Sequence, residues 1–307
     1  MKILFLDQNK WIDIARAASG VPSSAEHTKL YHSLADAIEA GRVIAPLTMA
    51  HIIETSKKND LSKRKKLAET QSKLSKGLVF RNRKSRLLQE IRVALMKAFG
   101  EPVIKLPDTW VIARVFLQAF EGFDDYVAPS TIGASDLLYD FLVSQNDDNR
   151  RKGIAVFSQG TNELVTNIEG RRQKWKSASR NMQSRAYAAQ LFFDHQELIF
   201  SVLLSIGHSV EEFKQLGDSA LLALLQDIPA LNVERELVIK LESQSRDIPP
   251  NDLLDMYSFC AAIPYADWLI AENAFVTLAK QAKLDIIYRT KITNNLGDLS
   301  MLLDECT

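Results

Sequence analysis

Apolar residues come in short runs near the start of the chain, and polar turn residues separate these runs. Residues 3–6 form a continuous apolar run that ends at Asp7, which is typical of a buried strand in a parallel sheet. Helical spacing predicts helices over 11–18 and over 23–40. A second buried strand is predicted over 42–47.

Capping residues mark where two of these predicted helices begin. Ser23 and Ser24 can cap the helix that runs to about Ala40, and Thr48 caps a third helix that carries Glu54. The first sixty residues therefore alternate strand and helix, which indicates an α/β fold with right-handed crossovers.

The same alternation returns at the end of the chain. The pattern predicts a helix over 252–262, a strand over 268–271, a helix over 275–282 and an edge strand over 285–288. We therefore expect the two ends of the chain to share one sheet.

The middle of the chain, residues 108–245, has a different pattern. Apolar residues recur there at helical spacing, around 110–120, 137–143, 186–206 and 221–231, with few strand signals. The simplest organisation has an α/β core built from 1–60 and 246–307. Residues 61–245 then form a basic and α-helical insertion.

Charge is balanced overall but concentrated locally. The 38 Lys and Arg equal the 38 Asp and Glu, whereas residues 57–92 hold thirteen basic residues against three acidic ones, a local charge of +10. A second basic stretch covers 171–176. Such stretches form either solvated helix faces or phosphate-binding surfaces. The candidate nucleic-acid contacts are Lys63, Arg64, Lys65, Arg81, Arg83, Lys84, Arg171, Arg172, Lys174 and Trp175.

Composition and motifs argue against several classes of protein. The two cysteines make neither a disulfide framework nor a zinc site, and the five histidines form no pair with metal-ligand spacing. A glycine-rich phosphate loop and a Gly-x-Ser-x-Gly motif are both missing from the sequence, which disfavours NTPases, kinases and α/β-hydrolases. Because the apolar runs are too short to span a bilayer, we expect a cytoplasmic protein without a membrane partner.

Acidic residues follow the predicted strands at the edge where open α/β sheets bind ligands. Asp7 ends the first strand, and Glu54 lies on the helix after the second. Asp252 and Asp255 share one face of a late helix, and Asn273 follows the last core strand. Converging carboxylates repel each other, and a hard divalent cation such as Mg²⁺ or Mn²⁺ removes that penalty.

Two acidic residues have plainer interpretations. Asp7 is also a favoured N-cap for the helix that follows it. Asp267 precedes its strand, so it lies at the opposite edge of the sheet from Asp7, roughly 13 Å away across four residues. We interpret Asp267 as structural.

Four segments, in order, resemble the PIN-domain pattern. They are Leu-Phe-Leu-Asp at 4–7, Ala-Pro-Leu-Thr-Met-Ala-His-Ile-Ile-Glu at 45–54, Asp-Met-Tyr-Ser-Phe-Cys-Ala-Ala at 255–262, and Ala-Asp-Trp-Leu-Ile-Ala-Glu-Asn at 266–273. The resemblance assigns catalysis and metal binding to Asp7, Glu54 and Asp255, and it places Asn273 at the fourth metal position. We expect Asp252 to assist as a further metal ligand. The resemblance departs at the fourth acidic position, where Asn273 replaces the usual Asp. Asp252 and Glu272 are the acids that could compensate.

This resemblance implies a fold and an activity. The fold is α/β, with a three-layer PIN-like parallel sheet flanked by helices and a large α-helical insertion. The activity is that of a Mg²⁺- or Mn²⁺-dependent endoribonuclease, with a role as a toxin, in defence, or in RNA decay or maturation. A non-catalytic RNA- or protein-binding module and a structure-specific DNA nuclease stay open as alternatives. Two kinds of protein partner also stay open: an inhibitor or antitoxin, and a second copy of the chain.

Overall fold

Helices surround one small parallel sheet. The computed structural model describes residues 1–20, 25–103, 105–127, 131–144, 147–175 and 177–305. The strands are β1 (Lys2–Leu6), β2 (Val43–Ile44), β3 (Val79–Phe80), β4 (Ile112–Ala113), β5 (Trp268–Ile270) and β6 (Lys291–Thr293). Of the helices in these ranges, none combines the length and the apolar character needed to cross a membrane.

The α-helices are numbered in chain order. The first seven are α1 (Gln8–Ala18), α2 (Ala25–Glu39), α3 (Met49–Lys57), α4 (Leu61–Ser75), α5 (Arg83–Ala98), α6 (Ala134–Ser144) and α7 (Asp147–Trp175). The next four are α8 (Arg180–Ser205), α9 (Val210–Gln215), α10 (Gly217–Asp227) and α11 (Pro229–Glu242). The last four are α12 (Pro250–Ala262), α13 (Asn273–Gln281), α14 (Leu284–Tyr288) and α15 (Asp298–Asp304).

The two ends of the chain form one parallel sheet, with the strand order β2-β1-β5-β6. Leu4 of β1 pairs with Trp268 of β5, and Leu6 pairs with Ile270. The expected α/β class, with a parallel sheet flanked by helices, is therefore confirmed. The pairing also brings the residue after β1 beside the residues after β5.

Both faces of this sheet are covered, as its uninterrupted apolar strands require. Successive side chains of β1 point to opposite faces, so Leu4 and Leu6 join one buried cluster and Ile3 and Phe5 join another. The first cluster includes Trp11 of α1 and residues of α2, α4, α6 and α15. The second includes residues of α11, α12 and α13.

A third buried cluster joins the remaining helices to this core. It contains residues of α5, α8, α9, α10 and α11. Helix α11 connects the second and third clusters. Its Val233 and Leu237 pack in the second cluster, and its Leu231 and Val238 pack in the third. The predicted division of the chain at residues 60 and 245 stays a prediction.

The sequence pattern misplaced the last edge strand. The predicted strand over 285–288 is the short helix α14, flanked by Lys283 and Arg289 in the left-handed backbone conformation. Its Ile286 is 70% exposed, so this apolar residue is not part of a buried strand. The edge strand is β6 instead, where Ile292 is buried.

Two other segments also differ from the prediction. The strand predicted over 42–47 is limited to β2, and Leu47 bridges to Val79 instead of continuing it. Residues 110–120 are β4 and a short 3-10 helix rather than an α-helix, because β3 and β4 pair antiparallel. Ser23 and Ser24, the predicted caps of α2, lie outside the described residues.

Candidate functional site

An open cleft of about 330 Å³ lies at the carboxyl edge of the sheet. Carboxylates from both ends of the chain line it, together with two lysines and three amide side chains. The lining residues are Asp7, Gln8, Asn9, Ile12, Glu54, Lys57, Lys58, Asn251, Asp255 and Glu272. Three of the residues predicted from the sequence, Asp7, Glu54 and Asp255, thus face one cleft.

Asp7 and Glu272 stand at the N-cap positions of the helices that follow two paired strands. Asp7 follows β1 and caps α1, with its Oδ1 accepting a 2.7 Å hydrogen bond from the Gln8 N–H. Glu272 follows β5 and Ala271, and its N–H donates to Asp7 Oδ2 at 3.3 Å. The capping role of Asp7 is therefore real, and it fixes the carboxylate in the cleft.

Glu54 is held in place through the start of α3. The Thr48 N–H donates to His51 Nδ1 at 2.9 Å, and Thr48 Oγ1 lies 3.0 Å from Ser258 Oγ on α12. His51 is fully buried and also hydrogen bonds to the backbone of Leu6. Burial lowers the pKa of His51 to about 3, so a neutral imidazole links α3 to the end of β1.

Asp252 and Asn273 have partners outside the cleft. Asp252 Oδ2 lies 2.6 Å from Nη2 of Arg246, which neutralises this carboxylate locally. Asn273 Oδ1 accepts a 3.1 Å hydrogen bond from Asn294 Nδ2. Neither residue lines the cleft, so the two assisting ligands named from the sequence are directed elsewhere.

Glu272 is the additional acid of this cleft. Its side chain is exposed and accepts a hydrogen bond from Asn9 Nδ2. The sequence analysis named Glu272 only as an acid that could compensate for Asn273. Its position in the sequence could have indicated this, because Glu272 follows β5 by two residues and so lies at the edge of the sheet where Asp7 leaves β1.

Burial and neighbouring negative charge raise the pKa of three carboxyl groups in the cleft. Burial and then the charge of Asp7 raise the pKa of Glu54 to about 7. Burial, followed by the charges of Asp7 and Glu54, raises the pKa of Asp255 to about 9. Burial also raises the pKa of Asp7. Lys57 and Lys58 lower the pKa of Glu54, but the upward effects are larger.

The donor chemistry of the cleft fits a hard divalent cation. Over the described ranges, the carboxylates of Glu54 and Asp255 have no hydrogen-bond or salt-bridge partner. Oxygen ligands with uncompensated charge are those that Mg²⁺ and Mn²⁺ prefer. Among the residues that the structure describes, however, no three His, Cys, Asp or Glu side chains are arranged so that they could hold a metal ion. Binding would therefore require the carboxylates of the cleft to move closer together.

Several arginines that the sequence names as candidate nucleic-acid contacts form bonds within the fold. Arg64 is buried and donates to the Lys58 carbonyl at 2.8 Å. Arg81 Nε donates to the Trp110 carbonyl at 2.9 Å. A count of charges along the sequence cannot detect such roles, because a buried guanidinium adds the same charge to the count as an exposed one.

Arg83 of the first basic stretch and two arginines of the second are used in the same way. Arg83 Nη2 lies 2.5 Å from Glu234, and Arg171 Nε lies 2.9 Å from Glu242. Arg172 donates to the Leu241 carbonyl at 3.1 Å and pairs with Glu169. Each of these bonds joins separate segments or turns of the helical region.

Lysines and one tryptophan remain on the surface. Lys63, Lys65, Lys84 and Lys174 are exposed, and Trp175 is half-buried, with the Lys174 ammonium 5.2 Å from its ring centroid. The lysines that line the carboxylate cleft are Lys57 and Lys58. Both belong to the first basic stretch but are not among the candidate contacts named from the sequence.

We predict that Asp255→Asn stabilises the protein at alkaline pH in EDTA. A carboxyl whose pKa is raised on folding holds its proton in the folded state between its ordinary value and about 9. The free energy of unfolding therefore falls as pH rises through that range. At pH 8 the variant should exceed the wild type by at least about 1 kcal/mol, with a smaller gain at pH 5.

Urea denaturation at both pH values measures this difference. The matched control is Asp108→Asn, since Asp108 is exposed and its substitution should leave stability unchanged at both pH values. A variant that is less stable than the wild type at pH 8 in EDTA would show that Asp255 is stabilised rather than repelled in the cleft.

Comparison with known proteins provides no family for this chain. No family model matches it, and neither a curated protein nor a solved structure shows significant similarity to it. What the protein does must therefore follow from its own cleft.

Proposed function

We propose that the protein is a divalent-metal-dependent endoribonuclease whose active site is the carboxylate cleft. The observation that carries the proposal is the convergence of Asp7, Glu54, Asp255 and Glu272 from distant parts of the chain. A group of partly buried, like-charged side chains is unfavourable for folding. Such a group is typical of sites that bind a cation or catalyse a reaction.

Each carboxylate has a distinct part in the proposed site. Asp7 is fixed by two backbone N–H groups and provides the rigid ligand. Glu54 and Asp255 approach from two helices and provide adjustable ligands. A bound Mg²⁺ or Mn²⁺ supplies Lewis acidity for hydrolysis of a phosphodiester.

The rest of the cleft suits a phosphate backbone. Lys57 and Lys58 lie on the same rim and offer positive charge to phosphates. Asn9 and Asn251 offer neutral hydrogen-bond donors to sugar and phosphate oxygens. The openness of the cleft to solvent favours a flexible single strand of RNA over a small buried metabolite.

A non-catalytic PIN-like module that binds RNA or protein is the second candidate. It is favoured by the arrangement of the carboxylates, which do not form a closed group of metal ligands among the residues described. Such a module would bind RNA in the presence of a chelator and would not cleave it.

Cleavage of labelled single-stranded RNA by the purified protein tests the proposal. We expect cleavage with Mn²⁺ or Mg²⁺ and none with EDTA. Asp7→Asn, Glu54→Gln and Asp255→Asn should each lower the rate at least about 100-fold, because each removes a charged ligand. A labelled DNA of the same sequence, run in parallel, distinguishes a ribonuclease from a DNA nuclease.

The control for this experiment is Asp267→Asn. Asp267 lies at the other end of β5, where it accepts hydrogen bonds from Lys2 Nζ at 2.7 Å and the Ile3 N–H at 2.9 Å. This variant should retain cleavage. Undiminished metal-dependent cleavage by Asp7→Asn would overturn the assignment, and RNA binding without cleavage would support the second candidate.

The double variant Lys57→Gln/Lys58→Gln tests whether the rim of the cleft contacts the RNA backbone. Each phosphate contact to a single strand contributes about 0.7 to the slope of log K against log salt concentration. Loss of two contacts should therefore reduce that slope by about 1.4 and weaken binding equally for all RNA sequences.

Fluorescence anisotropy in EDTA, over a salt series, measures binding without cleavage. Lys29→Gln on α2 is the matched control, because Lys29 is exposed and does not line the cleft. An unchanged salt slope in the double variant would place the RNA elsewhere on the surface.

A further inference from the structure

Three polar side chains form a closed hydrogen-bonded ring beside the cleft. Gln8 Nε2 donates to Thr55 Oγ1 at 3.0 Å, and Thr55 Oγ1 donates to Gln71 Oε1 at 2.8 Å. Gln71 Nε2 closes the ring by donating to Gln8 Oε1 at 3.1 Å. Thr55 and Gln71 are 0% exposed and Gln8 is 7% exposed, so the ring is shielded from water.

The ring joins three helices at one point. Gln8 belongs to α1, Thr55 to α3 and Gln71 to α4. Each member donates once and accepts once, and all three bonds run in the same direction, an arrangement in which hydrogen bonds strengthen one another. If one member is replaced by an apolar residue, its two neighbours lose a partner in a buried place.

Two members of the ring are covalent neighbours of the carboxylates. Gln8 follows Asp7 directly, and Thr55 follows Glu54. Helix α4, which carries exposed lysines of the first basic stretch, provides the third member. The ring therefore links α4 to the residues that directly follow two proposed metal ligands, Asp7 and Glu54.

Apolar packing alone would hold α1, α3 and α4 together, but it would fix the distances between them less closely than hydrogen bonds do. Side chains of α1 and α4 already share the buried cluster that contains Trp11 and Leu67. Burying three polar groups adds a desolvation cost that apolar residues would avoid. In return, hydrogen bonds fix the separation and orientation of the joined segments.

We propose that the Gln8–Thr55–Gln71 ring positions Asp7 and Glu54 for binding a divalent cation. The inference rests on the proposed function, and it concerns residues that do not touch the substrate themselves. It assigns to these three residues a role in metal affinity and in the catalytic rate, but not in RNA binding. Only Gln8 reaches the cleft.

Thr55→Val tests the inference, because it removes the hydroxyl of the ring and preserves the shape of the side chain. Thr70→Val is the matched control. Thr70, on α4, is buried as Thr55 is, but its hydroxyl donates to the Lys66 carbonyl of its own helix, at 3.0 Å. Thr55→Ser restores the hydroxyl and should restore the wild-type properties.

Calorimetric titration with Mn²⁺ provides a readout that does not depend on catalysis. We expect Thr55→Val to bind Mn²⁺ about 10-fold more weakly than the wild type, as is typical when a partner behind a metal ligand is lost. Thr70→Val and Thr55→Ser should match the wild type. In cleavage assays kcat should fall in Thr55→Val, while KM for RNA stays within about 2-fold of the wild type.

The outcomes separate the two claims. If the wild type does not bind Mn²⁺, the proposed function fails and this inference fails with it. If the wild type binds Mn²⁺ and Thr55→Val binds it equally well, the ring is only a structural feature and the proposed function stands. Should Thr55→Val not fold, Gln71→Met breaks the same ring from α4, and its Mn²⁺ affinity decides the question in the same way.

Discussion

The pairing of β1 with β5 is the constraint on which the rest of the structure depends. It joins residues 4–6 to residues 268–270, so the first and last parts of the chain form the centre of one sheet. Because the paired strands are parallel, Asp7 and Glu272 leave the sheet at the same edge. Without this long-range pairing the acidic residues of the two chain ends would not meet.

The cleft combines rigid support with uncompensated charge. Buried polar groups hold its surroundings: His51 connects α3 to β1, Thr48 connects α3 to α12, and the ring of Gln8, Thr55 and Gln71 connects α1, α3 and α4. In contrast, the carboxylates of Glu54 and Asp255 are left without partners over the described residues. A fold that joins Gln8, Thr55 and Gln71 by hydrogen bonds but leaves the carboxyl groups of Glu54 and Asp255 unpaired is poised to bind a cation.

Sequence patterns predicted the parts of the fold that depend on local chemistry. The apolar run before Asp7 and the cap at Thr48 placed β1 and α3 correctly, and with them the positions of Asp7 and Glu54 in the fold. The pattern failed where tertiary contacts decide. It could not show that Ile286 and Ile287 would be exposed on α14, nor that Arg64 and Arg172 would bond to backbone carbonyls. Glu272 was underestimated because the register of β5 against β1 fixes which of two adjacent polar residues enters the cleft.

The central claim is that a divalent cation binds between the carboxylates of the cleft. Anomalous diffraction from crystals grown with Mn²⁺ tests it most directly. The account predicts one strong anomalous peak in contact with oxygens of Asp7, Glu54 and Asp255, at roughly the 2.1 Å typical of small divalent cations. No peak in the cleft at saturating Mn²⁺, with the three carboxylates well ordered, would contradict the account.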